Sequence, residues 1–586
     1  MEFYKPRTDD FRFLLEAFGY DEVNALEQFA DYDAETVGVM ADEATKLLVK
    51  EWLPLNAVGD ATGLVFDPES GDVTCPEGFK GAYEAFCAAG LSGATQSPKY
   101  GGAGMPHMGA ALMAEVTIAT NPSLSMCPGL TQSLMNALAN HGSPEQKQKY
   151  LPKLISGKWT GTMCLTEPQC GTDLGLLTTK AIPDGDGYKL TGNKIWISFG
   201  EHNLAENIIH LVLARLPDAP EGIGGISAFI VPKFMDDGSR NSVKCTALEH
   251  KMGIKASPTC VISMEDATGY LIGTPNKGMR TMFVMMNSAR LEVGIQGMAQ
   301  SEIAYQAALA YAKDRRQMRS LDPAKIDHDA KADVILVHPD VRRMLLNIKS
   351  TTEGMRALTT YVSKQYDLSH FSPDEAVAQK AGDLLALLTP IVKSYCTERG
   401  FDNISTAMQV CGGSGFTTDF PIEQFLRDER IALIYEGTNH IQALDLVGRK
   451  LPSKGGRLVR TFATEITETL RACKGDDRLT EFAEPLMKAS KTLTEVTMQL
   501  ATSAMADREV AGAVASNYLN LFALTSLALM WTIQAQAAIE GKSRFERSKL
   551  KTARYFMHNI LPEMDSLVSL IAVGKDHMMA FEDDEF

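Results

Sequence analysis

Residues 431–450 read IALIYEGTNHIQALDLVGRK, and the group in them best suited to chemistry is the carboxylate of Glu436. It stands between an apolar approach, residues 431–435, and the small polar run Gly437-Thr438-Asn439. Beyond it Ile441, Leu444, Leu446 and Val447 recur at roughly helical spacing, and Thr438 or Asn439 suits the cap of that helix. Glu436 is thus expected in the turn just before a helix, projecting from a packed wall. A carboxylate among apolar groups has its charged form disfavoured, so its pKa rises and it becomes a better general base at neutral pH. A Glu beside a helix start is more commonly a cap or a solvated charge, so the base reading needs support from the rest of the chain.

Other residues have chemical potential of their own. MCLTEPQCGTD (163–173) and KIWISFG (194–200) supply hydroxyls, glycines and an indole. Read singly, Gly171-Thr172-Asp173 is a turn and Trp196 a core residue. Arg290 is the conspicuous charge in the largely apolar run 279–298. A snorkelling surface arginine and an anion contact are both open readings there. The ten cysteines form no CxxC pair and no Cys/His cluster at ligand spacing. No metal is expected, and the thiols read as reduced and structural. The glycine-rich loop at 98–104 lacks the GxGxxG order and a following Lys-Ser/Thr, and no Rossmann fingerprint or P-loop stands out elsewhere in the sequence, which counts against NAD or ATP chemistry.

Positioning these residues takes several structural units. A chain of 586 residues exceeds one ordinary core, so three or four units are expected. Its 45% hydrophobic and 22% charged content is that of a globular protein, and a net charge of −16 argues against a nucleic-acid partner. The N-terminal MEFYKPRTDDFRF has no apolar signal core. The most apolar segment, 521–539, is interrupted by Thr525, Ser526, Thr532, Gln534 and Gln536 and reads as a buried helix. A cytoplasmic protein without membrane insertion is expected. Helical patterns fill 1–160, including 33–52, and Ser143-Pro144 opens a capped helix. Short β-branched runs separated by Gly, Asp and Pro fill 161–275, and long helical patterns return over 276–450. Lys454-Gly455-Gly456 reads as a linker to further helices at 460–474, 480–506, 510–540 and 544–573. Residues 451–586 hold 16 Lys/Arg and 18 Asp/Glu, so they are nearly neutral and read as a structural addition. The fold class is α+β, mostly α.

The run MQVCGGSGFTTDFPIEQFLRDERIALIYEGTN (408–439) resembles the C-terminal signature of the acyl-CoA dehydrogenase family. There the Glu of the IYEGT turn removes the α-proton of an acyl thioester. The segments 163–173 and 194–200 resemble the family's two flavin-facing segments in order and spacing, and the resemblance covers about residues 30–450. It implies an N-terminal helical domain (1–160), a middle β-domain (161–275) and a C-terminal four-helix bundle carrying Glu436 (276–450), with an extra helical domain (451–586). It implies FAD as cofactor, with Met163, Leu165 and Thr166 at the isoalloxazine edge through backbone and hydroxyl groups. Gly171 and Thr172 would approach the flavin or substrate phosphates, Trp196 would stack near the ring, and Ser198 would bond the flavin. Arg315 would reach the flavin of a neighbouring subunit, Gln409, Gly412 and Gly413 would receive that subunit's FAD diphosphate, and Thr438 would also serve the cofactor. Arg290 would meet the nucleotide end of CoA, with Thr172, Tyr435 and Gly437 also at the substrate. The family's Arg-x-x-Phe-Gly reads Arg315-Arg-Gln-Met318-Arg319 here, a departure at its last two positions.

At full length the chain resembles the C-terminally extended subgroup that acts on 3-methylmercaptopropionyl-CoA in bacterial dimethylsulfoniopropionate breakdown. The implied reaction gives 3-methylthioacryloyl-CoA, with the α-proton going to Glu436 and hydride to flavin N5. Medium- or long-chain fatty acyl-CoA dehydrogenase, acyl-CoA oxidase and a flavin-bearing DNA-protection protein of the same fold are the alternatives. The methionines of 282–286 either narrow an acyl pocket around a thioether chain or fill core. A homodimer and an electron-transfer flavoprotein as electron acceptor are implied by the same resemblance.

Overall fold

The computed structural model describes residues 3–586, and the chain divides into two compact units. A sheet unit comprises Met40–Met105 and Val116–Glu292; a helical unit comprises Met1–Val39, Pro106–Glu115 and Val293–Phe586.

In the sheet unit, β1 (Val65–Phe66) and β2 (Val73–Thr74) form a short antiparallel pair across the turn that holds Pro68 and Gly71. The main sheet follows: β3 (Trp159–Cys164), β4 (Lys180–Asp184), β5 (Gly187–Ser198), β6 (Asn207–Arg215), β7 (Ile226–Pro232), β8 (Val243–Leu248) and β9 (Thr259–Ile272). Its order is β3-β6-β4-β5-β9-β7, and a further β6–β7 pairing closes β6, β4, β5, β9 and β7 into a ring. Closure leaves fewer unpaired edges. The run NIIHLVLAR of β6 is buried at every residue but Arg215. Ile209, Leu211 and Leu213 enter one core with Leu134, Leu138 and Met282, while Val212 and Ala214 enter another with Phe229, Val231 and Ile262. The two-residue period of a strand sends alternate side chains to opposite faces, so a strand covered on both sides reads as one apolar run. Ser143 and Gln146 cap the Pro144–Ile155 helix reciprocally. Met282 and Met285 are fully buried in the first core, so these two thioethers are core filling.

In the helical unit, the long helices Pro339–Phe371 and Glu375–Cys411 form a hairpin, against which the latter part of the Gly278–Asp314 helix packs. Two glycines permit that approach. A Cβ on Gly297 would lie 2.2 Å from the Cys396 carbonyl oxygen, and one on Gly400 would lie 2.4 Å from the Gly297 carbonyl oxygen. The later helices are Arg457–Ala472, Thr480–Ala506, Arg508–Ala538, Arg544–Tyr555 and Glu563–Val573. The apolar window of Arg508–Ala538 is 78% buried, and its Trp531 indole donates to the Ser350 carbonyl at 3.2 Å. The single helix expected over 544–573 is broken by a π turn, Phe556–Ile560, and by Pro562. Proline lacks the N–H and crowds the carbonyl four residues back.

A buried ion cluster ties the chain's two ends to the middle of this unit. Arg356 donates to Glu115 (2.8 and 2.8 Å), Asp10 (3.0 Å) and Glu302 (2.7 Å). Arg7 reaches Glu302 at 2.6 Å, and Lys549 reaches Asp10 at 2.5 Å and Glu353 at 2.9 Å.

Candidate functional site

The turn at Glu436 is built by what precedes and follows it. The Ile422–Glu429 helix runs into a 3-10 turn, Arg430–Leu433, and the Tyr435 amide closes back on the Ile431 carbonyl at 3.0 Å. Glu436 and Gly437 then both adopt left-handed backbone, φ 58° and 83°. Gly437 does so freely, whereas a residue with a Cβ incurs about 1–2 kcal/mol. Strain of this kind at a non-glycine residue is characteristic of functional positions. Thr438 caps the Asn439–Asp445 helix, its hydroxyl accepting from the Ile441 amide at 3.4 Å.

Both flanks of Glu436 are fastened. The Tyr435 hydroxyl donates to Gln296. Asn439 accepts from the Lys393 ammonium (2.9 Å) and the Thr397 hydroxyl (3.2 Å), and its amide donates to the Ser394 carbonyl (3.2 Å). Glu436 is half-buried. Another carboxyl in the same stretch, Glu429, is fully buried, and neither of its oxygens has a hydrogen-bond partner. Burial pushes its pKa well above the ordinary carboxylate range, against the pull of Lys393, with Asp428 adding to the rise. A fully enclosed acid cannot meet a substrate, so Glu436 is the accessible carboxyl of the two.

Still in the helical unit, Arg315 lies exposed just past the Gly278–Asp314 helix, and Gln409, Gly412 and Gly413 are exposed at the end of Glu375–Cys411. Tyr311 links these segments, with its hydroxyl 3.3 Å from Ser414 and its ring edge-on to Phe420. Gly412 is left-handed (φ 57°), and a Cβ on either glycine would meet open space. Where the sequence departs at Met318-Arg319, Met318 is left-handed and 77% exposed. Arg319 turns back onto the Asp327 (2.8 Å) and Ala330 (2.6 Å) carbonyls.

In the sheet unit, β5 slips register against β9 between Lys194 and Ile197. That bulge carries Trp196 in left-handed backbone (φ 58°) with its side chain 59% exposed. A bulge re-aims a side chain that the regular pleat would bury; Trp196 is therefore not the core residue it resembles in isolation. Met163 and Leu165 pack into the core. Thr166 and Ser198 are half-buried, Gly171 and Thr172 are exposed, and Gly171 faces open space.

Sequence reasoning passed over the pair that joins these two segments. Lys194, fully buried, donates to the Leu165 carbonyl (3.0 Å) and the Glu167 carboxylate (2.8 Å). The Ile195 amide donates to the Thr166 carbonyl at 2.9 Å. Glu167 also accepts from the amides and hydroxyls of Thr178 and Thr179. Burial drives the Glu167 pKa up, but Lys194 and these donors outweigh it and hold the carboxyl at about 2. Arg290 is only 7% exposed, which rules out a solvated surface arginine.

Comparison with known proteins gives one consistent answer. The sequence matches the acyl-CoA dehydrogenase N-terminal domain over residues 40–158, its middle domain over 162–267 and its C-terminal domain over 276–451. Residues 462–582 match a domain described as acetyl-CoA dehydrogenase C-terminal like. The 3-methylmercaptopropionyl-CoA dehydrogenase of Ruegeria pomeroyi is 40% identical over 591 residues, 98% of this chain and 99% of that protein. A broad-specificity linear acyl-CoA dehydrogenase of Mycobacterium tuberculosis is 33% identical over 617 residues, the whole of both chains. The fold is that of the Bacillus anthracis acyl-CoA dehydrogenase complexed with FAD, with TM-score 0.76, 22% identity and 94% and 90% of the two chains covered.

Proposed function

The chain belongs to the acyl-CoA dehydrogenase family, and on that premise we propose that Glu436 is the base that takes the α-proton of a short acyl-CoA. The enzyme is an FAD-dependent dehydrogenase. The single observation that carries the base assignment is the accessible Glu436 carboxylate on a left-handed turn fastened at both flanks.

The residues present fit FAD. The bulged, exposed indole of Trp196 offers a flat apolar face in the sheet unit, and Gly171 leaves room for close backbone approach. Thr166 and Ser198 supply hydroxyls there, while the Met163 and Leu165 side chains anchor their backbone in the core. On the helical unit the open glycines Gly412 and Gly413, with the exposed Gln409, suit the diphosphate of a partner subunit's FAD, and the exposed Arg315 supplies cationic charge for that same flavin. Bound FAD supplies the hydride acceptor for the substrate's β-hydrogen.

The chain's own part is proton chemistry and placement. An α-proton of a thioester is too weakly acidic for a carboxylate acting alone, so the carbonyl oxygen must be polarised by a fixed donor. We assign that to the Glu436 backbone N–H, with Tyr435 and Gly437 shaping the substrate contact and Thr438 facing the cofactor. Arg290 and Thr172 are assigned to the CoA end. The substrate we favour is 3-methylmercaptopropionyl-CoA, going to 3-methylthioacryloyl-CoA. Its support is the 40% identity, at full length, to the Ruegeria enzyme of that name. An electron-transfer flavoprotein as acceptor and a homodimer belong to the same reading. The homodimer is supported by the exposed Met318, Leu321 and Phe416 near Arg315 and Gly412.

The test is anaerobic bleaching of the flavin absorbance by 3-methylmercaptopropionyl-, butyryl-, octanoyl- and palmitoyl-CoA at equal concentration. Fast bleaching by the thioether and butyryl thioesters alone supports the short-chain reading; preference for the long chains overturns it.

A further inference from the structure

The Glu436 turn has a third fastening, distinct from the two on its flanks. Gln442, on the Asn439–Asp445 helix, is fully buried, and its amide nitrogen donates at 3.1 Å to the Glu436 carbonyl and at 3.1 Å to the Gly437 carbonyl. Only the NH2 end of an amide can satisfy two carbonyls, so the chemistry fixes which way the group points. Its own oxygen is buried without a hydrogen-bond partner. A buried acceptor left unmatched is a cost, which a side chain used only to fill space would avoid. The two carbonyls belong to the two consecutive left-handed residues, φ 58° and 83°. Holding them fixes ψ at Glu436 and both torsions at Gly437, and through these the direction in which the Glu436 side chain leaves the backbone.

Resting on the assignment of Glu436 as base, we propose that Gln442 is a positioning residue for it. Its two donors hold the left-handed Glu436–Gly437 turn and so aim the carboxylate at the α-carbon. Gln442 touches neither substrate nor cofactor in this role.

The experiment compares the wild-type holoenzyme with Gln442→Met, which matches glutamine in length and volume and has no donor. Flavin content, melting temperature, kcat, KM for butyryl-CoA and the isotope effect with α-deuterated butyryl-CoA are measured on both. The expected result is full flavin content, KM within about twofold and kcat lowered about 10- to 100-fold, the scale set by misplacing a reacting group by about 1 Å. The α-deuterium isotope effect rises as proton removal becomes more rate-limiting. Gln442→Asn, whose amide falls one methylene short, carries the same expectation and serves if the Met variant does not accumulate folded. Wild-type kcat and isotope effect in a folded variant overturn the proposal, because a space-filling role is met by methionine. Glu436→Gln is run alongside. If it turns over normally, the base assignment itself fails; if it is inactive while Gln442→Met is unimpaired, only the positioning role fails.

Discussion

Replacing Arg356 by methionine probes the part of the fold that unites the two ends of the chain. The guanidinium makes four charge-assisted hydrogen bonds of 2.7–3.0 Å, to Glu115, Asp10 and Glu302. Removing one partner of a buried ion cluster costs about 3–5 kcal/mol, because the remaining charges stay buried and uncompensated. Two of the three carboxylates keep a cation, Asp10 through Lys549 and Glu302 through Arg7. Glu115 does not, so a loss of about 4 kcal/mol is expected, and for a unit this large that lowers the melting temperature by about 7 °C. The pH dependence has a definite sign. Burial already raises the Glu115 pKa, and Arg356 opposes the rise; without the arginine the folded pKa climbs further above its unfolded value. A carboxyl of that kind destabilises the native state at high pH and ceases to as pH falls through its folded pKa. The deficit measured by circular-dichroism melting should therefore shrink from pH 8 to pH 5. A variant melting within 1 °C or so of wild type, or a deficit that grows on acidification, refutes the reasoning.

Other perturbations test separate parts of the account. Lys194→Met leaves Glu167 buried beside the Trp196 bulge and should lower both FAD retention and stability, the latter by about 3 kcal/mol. Because wild-type Glu167 is held at about 2, its contribution is present above the ordinary carboxylate pKa and is lost as pH falls toward 2. The gap in melting temperature between wild type and variant should thus narrow below about pH 4; a constant gap contradicts it. Gly297→Ala places a methyl against the Cys396 carbonyl and should cost about 2 kcal/mol net in urea unfolding, overpacking outweighing the roughly 1 kcal/mol of helix propensity gained. An alanine variant more stable than wild type would show that the two helices can separate at no cost.

What was legible in the sequence was mostly local. The turn at Glu436 and its Thr438 cap lie within a few residues, and propensity and pattern describe them well. Short β-branched runs broken by Gly, Asp and Pro marked the strands, and the buried helix Arg508–Ala538 showed in its polar interruptions. What was hidden depends on pairing across long separations. Trp196 looked like core because a bulge exists only once β5 has paired with β9. Lys194 and Glu167 are 27 residues apart, and residues 10, 115, 302, 356 and 549 meet only in the folded unit. Gln442 lay in plain view within the signature stretch, but its role needs the helix to turn its amide back onto the carbonyls of residues 436 and 437.

The assignment of Glu436 is tested most directly by anaerobic mixing of Glu436→Gln with the acyl-CoA that bleaches the wild-type flavin fastest. The substitution keeps the size of the side chain and removes its basicity. The expected result is a yellow, folded protein with full flavin content whose absorbance stays unbleached on the timescale of wild-type reduction. Bleaching at the wild-type rate would mean that another group takes the α-proton, and that the left-handed turn at Glu436 serves some other end.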